Sequence, residues 1–138
     1  MSDSDPTNEE ATRVTTLSGK TTALELWHNP RCSKSRQAKE LLDAKGIAYV
    51  ERRYLAEPPT IELLDRVLIA LHKDPWEATR LGEPLAESLD MRGWAHDRAL
   101  WLAAMVENPI LIERPILVAD HGSRAALGRP PEQILDLL

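Results

Sequence analysis

The order of apolar runs and turn signals predicts an α/β fold: a mixed sheet flanked by helices, with a helical insertion between a βαβ unit and a ββα unit. Two observations predict it. Near the start, a strand, a helix and a second strand follow one another within about thirty residues; near the end, a strand, a tight turn and a return strand lead into a last helix.

The first strand is Ala23-Leu24-Glu25-Leu26-Trp27, stopped by His28-Asn29-Pro30. From 33 to 45 the pattern is helical: Ala38, Leu41 and Leu42 share a face, Lys34, Gln37, Lys39 and Glu40 are polar, and Gly46 supplies the stop. A second strand covers 47–54. Pro58-Pro59-Thr60 then opens an amphipathic helix with Leu63, Leu64, Val67, Leu68 and Leu71 on one side. Asp74-Pro75-Trp76-Glu77 has the form of a helix start, with Asp as N-cap, Pro at N1 and Glu at N3. Further helices are expected at 85–89 and 97–106. Strand 115–118, turn 120–123 and return strand 124–127 form a hairpin, and Pro131 begins a helix over 132–138. A βαβ unit followed by a ββα unit is the thioredoxin plan, here with helices between. Residues 1–21, acidic and rich in Ser and Thr, read as a disordered tail, and 22–138 as one domain.

Composition narrows the function classes. The chain has 138 residues, net charge −5, 43% hydrophobic and 28% charged residues, which suits one soluble globular domain. With no Phe, the core is aliphatic. An acidic balance argues against broad nucleic-acid binding. No run of ~18 apolar residues is present to span a membrane, and the N-terminus lacks the basic start and apolar run of a signal peptide. The expected location is the cytoplasm. One cysteine excludes an internal disulfide framework and a thiolate zinc cluster, and suits a reducing compartment.

That cysteine, Cys32, sits between a strand end and a helix start in His28-Asn29-Pro30-Arg31-Cys32-Ser33-Lys34-Ser35-Arg36. The first N–H groups of a helix lack intrahelical partners and carry partial positive charge, which stabilises a thiolate and attracts an oxyanion. Arg31, Lys34 and Arg36 add charge. A buried structural cysteine is the alternative, but such residues have apolar neighbours and this one does not. His28 either tunes the thiol or simply ends the strand. Ser35 occupies the position of the second thiol in a C-x-x-C pair, so an intramolecular dithiol cycle is impossible and an external thiol must resolve any bond Cys32 makes.

The run His28-Asn29-Pro30-x-Cys32-x-x-Ser35-Arg36 resembles the active-site loop of the glutaredoxin-coupled arsenate reductase family. Asn108-Pro109-Ile110-Leu111-Ile112-x-Arg114-Pro115-Ile116 is similar to that family's second signature, and Gly128-Arg129-Pro130-Pro131 with Ile134-Leu135-Asp136 to its third. The match covers about 23–138. The resemblance implies a thioredoxin-like fold, a catalytic Cys32 with His28 and Ser35 in its loop, and three arginines that bind the oxyanion: Arg80 in the insertion, Arg114 before an expected cis Pro115, and Arg129. The segment between Arg114 and Arg129 looks two residues longer than in plasmid-type reductases, so Arg124 competes with Arg129; the flanking Arg-Pro favours Arg129.

The resemblance further implies reduction of arsenate to arsenite, with Cys32 attacking arsenic and with glutathione and glutaredoxin as co-substrates. No metal or bound organic cofactor is implied, and a monomer is expected. The alternative is a thioredoxin-fold regulatory protein without arsenate activity. Some such relatives use a C-x-x-C switch, which Ser35 excludes, and a regulator needs no arginine cluster at Cys32.

Overall fold

The structure, a computed structural model, describes residues 14–15, 21–22 and 24–138. The expected tail therefore lies outside the described residues, apart from two short strands, β1 (Val14–Thr15) and β2 (Thr21–Thr22), which pair antiparallel.

A four-stranded sheet forms the centre. β3 (Glu25–Trp27) pairs parallel with β4 (Val50–Arg52), Trp27 opposite Arg52, and antiparallel with β5 (Ile116–Ala119), Trp27 opposite Ile116. β5 pairs antiparallel with β6 (Arg124–Leu127), giving the order β4-β3-β5-β6. This is the expected mixed sheet. The return strand occupies the expected 124–127, while β3 and β4 are shorter than the apolar runs that announced them.

Helices cover both faces. Because side chains alternate along a strand, Leu26 and Leu117 point to one side, where they pack with Ala38 and Leu42 of α1 (Ser33–Ala44) and with Ile134. Trp27, Ile116 and Val118 point to the other, against Leu64, Val67 and Leu68 of α2 (Ile61–Ala70) and Leu102 and Met105 of α4 (Arg98–Glu107). α1 ends before Gly46, whose φ of +68° is one that a side chain resists. α2 begins at Thr60, whose hydroxyl accepts from the Leu63 N–H at 3.1 Å.

Two expectations need correction. The helix start at Asp74 yields only a 3-10 turn, Pro75–Glu77, although the capping box forms as its residues predict. The chain leaves that turn to pair elsewhere: Thr79 bridges Ile112, the Arg80 N–H donates to the Leu111 carbonyl at 2.7 Å, and the Glu113 N–H donates to the Ala78 carbonyl at 2.9 Å. The insertion continues through α3 (Pro84–Ser88) and a second 3-10 turn, Met91–Gly93, around a small core of Ala86, Met91, Trp101 and Leu111. The last segment, Pro131–Leu137, is a 3-10 helix instead of an α-helix. This segment packs Ile134 onto α1 and the sheet.

Candidate active site

The loop between β3 and α1 is held by its own main chain. The Cys32 N–H donates to the Asn29 carbonyl at 3.0 Å, and the Asn29 side chain accepts from the Arg31 N–H at 3.0 Å. Cys32 is the N-cap of α1, with extended dihedrals. Among the described residues no side chain caps this helix end, and its first turn contains no acidic residue. The Cys32 sulfur, half-buried, thus lies at the positive end of a twelve-residue helix.

Beneath the loop, His28 and Ser35 are buried and bonded to each other, Nδ1 to Oγ at 2.7 Å. Ser35 Oγ also accepts from the Asn29 N–H at 3.0 Å, so the hydroxyl joins His28 to the loop main chain. Burial holds the His28 pKa below the ordinary histidine value; nearby Glu51 opposes this, and Lys39, Arg53 and Arg36 reinforce it. Through these hydrogen bonds both residues brace the loop that carries Cys32.

Three guanidinium groups converge from distant parts of the chain. Arg129 Nη2 lies 4.0 Å from Cys32 Sγ, and its Nε donates to the Arg114 carbonyl at 2.8 Å. Glu113 Oε1 is 3.2 Å from Arg129 Nε and 3.7 Å from Arg80 Nε, and it accepts from the Arg114 N–H at 3.2 Å. Glu83 pairs with Arg80 Nη1 and lies 3.9 Å from Arg114 Nη1. Arg114 is 9% exposed, and its Nε and Nη1 have no hydrogen-bond partner among the described residues. The Arg114–Pro115 peptide bond is cis, as expected, and so is Arg129–Pro130.

Arg124 does not join this group. It is exposed on β6, 3.2 Å from Asp120 and donating to the Leu137 carbonyl at 2.6 Å. Arg31, Lys34 and Arg36 are also exposed, and Arg36 is spent on the Pro30 carbonyl at 2.9 Å.

The model of the ArsC family matches residues 27–137, a span that holds every one of these side chains. The chain belongs to the ArsC family. The arsenate reductase of Haemophilus influenzae is 35% identical over 114 residues, covering 82% of this chain and 97% of that protein. A Streptomyces viridochromogenes protein, known as an uncharacterized protein in the glnII region, is 44% identical over 118 residues, covering 83% and 98%. Among solved structures, the arsenate reductase from Vibrio cholerae superposes with a TM-score of 0.77 at 39% identity, covering 83% and 97%. This chain therefore has the thioredoxin-like ArsC fold.

In this ArsC-family protein the fold gathers Cys32, Arg80, Arg114 and Arg129 at one place, with His28 and Ser35 behind the loop. Three further residues complete the site, and the sequence gives no sign of Glu83 or Tyr54 as members of it. Glu83 and Glu113 occupy the arginines. Tyr54, just past β4, has a fully buried hydroxyl with no hydrogen bond among the described residues. Its pKa is pushed up first by burial and then by Cys32, while Arg80 and the nearby Asn29 side chain oppose that rise. Tyr54 lies in the turn that follows β4, and no spacing in the sequence marks it. No helix among the described residues is long and apolar enough to cross a membrane.

Proposed function

We propose that this protein reduces arsenate to arsenite, with Cys32 as nucleophile and with glutathione and glutaredoxin as reductant. One observation carries the reading: Arg114 is buried with two donors unpartnered, beside an Arg129 that reaches the Cys32 sulfur. Glu83 offsets part of the Arg114 charge at 3.9 Å but accepts no hydrogen bond from it. Buried donors left without hydrogen bonds are costly, which supports a bound oxyanion as their partner. Guanidinium forks match the oxygens of a tetrahedral oxyanion, and the uncapped helix end adds N–H donors on the thiol side.

The electron count requires help from outside. Arsenic(V) takes up two electrons on becoming arsenic(III), the number released when two thiols join as a disulfide. Cys32 is the one thiol of the chain. Its thiolate attacks arsenic and hydroxide leaves, and a glutathione thiol displaces a second hydroxide. A glutaredoxin thiolate then attacks the glutathione sulfur, forming a glutaredoxin–glutathione disulfide as the arsenic–sulfur electron pair reduces arsenic to the trivalent state. Water releases arsenite and returns Cys32 to the thiol. Arg80, Arg114 and Arg129 hold the oxyanion, and His28 and Ser35 keep the loop in place.

Arsenite formation in the presence of arsenate, glutathione and glutaredoxin tests the proposal. Wild-type protein is expected to turn over and Cys32→Ser to be inactive. A wild-type protein that forms no arsenite under these conditions overturns it.

A further inference from the structure

Among the described residues, four buried side-chain polar atoms have no hydrogen-bond partner, and three of them belong to this site: Nε and Nη1 of Arg114 and the hydroxyl of Tyr54. The fourth, Nη2 of Arg98, is on the insertion. A folded chain rarely leaves such groups empty without a use for them.

The sheet register explains how Tyr54 comes to the site. β4 runs parallel to β3 with Trp27 opposite Arg52, and the His28 N–H donates to the Arg52 carbonyl at 2.9 Å. Continuing both chains two residues further brings Tyr54 alongside Asn29, whose carbonyl holds the Cys32 N–H. The Tyr54 ring shares a core cluster with Ala78 and Ile112. Those residues stand two positions before Arg80 and Arg114, on the two segments joined by the Thr79–Ile112 bridge. The ring therefore sits in the core that underlies both the thiol loop and the arginine segments, and its hydroxyl is the one polar atom it has.

We infer that the Tyr54 hydroxyl is a substrate-binding donor: it hydrogen-bonds an oxygen of the tetrahedral oxyanion held between Cys32 and Arg80. Phenol O–H is a donor that stays protonated at neutral pH, so it adds a directed hydrogen bond where guanidinium adds charge. Its partner oxygen arrives with the ligand, on the side of the hydroxyl that adjoins Cys32 and Arg80, which accounts for a hydroxyl with no hydrogen bond among the described residues. The inference rests on the oxyanion chemistry proposed above.

Protection of Cys32 from iodoacetamide by arsenate, phosphate or sulfate reads binding without requiring turnover. In Tyr54→Phe the half-protecting concentration is expected to rise about 10- to 100-fold, the worth of a hydrogen bond to a charged group. The thermal midpoint is expected to hold or rise, because the variant removes an unpaired buried hydroxyl. Unchanged protection in folded Tyr54→Phe overturns the inference. So does a variant that melts well below wild type, since the hydroxyl then has a partner inside the fold. The two readings separate cleanly. Wild type protected by an oxyanion but forming no arsenite removes the arsenate reading and leaves Tyr54 its role; turnover with unchanged protection in Tyr54→Phe does the reverse.

Discussion

Arg129 is anchored to the main chain of Arg114: its Nε donates to the Arg114 carbonyl at 2.8 Å while its Nη2 stands 4.0 Å from Cys32 Sγ. One side chain thus ties the end of the β5–β6 hairpin to the segment before β5 and to the thiol loop.

That anchoring separates two arginines which sequence left in competition. Replacing Arg129 with Ala is expected to raise the arsenate concentration needed for half-maximal turnover about 10- to 100-fold, from loss of charge-assisted hydrogen bonds. Arg124→Ala, which removes an exposed pair with Asp120, is expected to stay within about twofold, as surface pairs contribute about 0–1 kcal/mol. Steady-state kinetics of the two variants side by side decide the assignment; equal losses would remove it.

Glu113 presents a carboxylate to the donors proposed above to hold the oxyanion, at 3.2 Å from Arg129 and 3.7 Å from Arg80. Glu113→Gln retains one acceptor for the Arg114 N–H and removes the charge that competes with substrate. KM for arsenate is expected to fall about fivefold, equivalent to about 1 kcal/mol between partly exposed charges. A KM that stays level or rises shows that Glu113 serves to position the arginines.

Gly128 precedes Arg129 at a close approach: a Cβ there would lie 2.8 Å from Pro115 Cγ and 3.1 Å from Ile134 Cγ2. Its N–H also donates to the Pro115 carbonyl at 2.8 Å. Gly128→Ala is expected to cost about 1–3 kcal/mol through overpacking, measured as a lower urea midpoint, and to weaken oxyanion protection by shifting Arg129. A variant as stable as wild type would mean that the Pro115 ring yields.

His28 gives stability a pH dependence. Its native pKa lies below the ordinary 6.5 because it is buried, so as pH falls below 6.5 the unfolded chain takes up the proton first. Stability is therefore present above 6.5 and is lost as pH falls towards the lowered native value. His28→Asn is expected to show a smaller drop in thermal midpoint between pH 7.5 and 5.5 than wild type. Parallel slopes in the two proteins would assign the acid sensitivity to other groups.

The parts of this fold legible in sequence are those where period and punctuation agree. Leu26 and Trp27 alternate across a strand, Ala38 and Leu42 recur on a helix face, and Gly46 stops that helix. Cys32 was legible because its neighbours are polar in a place where a packed thiol has apolar ones. The geometry around Arg80 was not, because a single bridge between Thr79 and Ile112 has no periodicity to read. Glu113 has no motif to mark it in the sequence; three donors from 80, 114 and 129 meet it only after folding. Tyr54 reads as an apolar strand residue, and its empty hydroxyl exists only once the core has closed around it.

Cys32 and the Arg129 guanidinium that faces it are 97 positions apart in the chain, and β5, which lies between them in sequence, joins the sheet beside β3. A nascent or locally opened chain holds a cysteine like any other, with no cationic pocket above it. Chemical competence arrives with the long-range pairing that completes the sheet, so the rate at which Cys32 reacts with an anionic reagent doubles as a gauge of how much of the population is native.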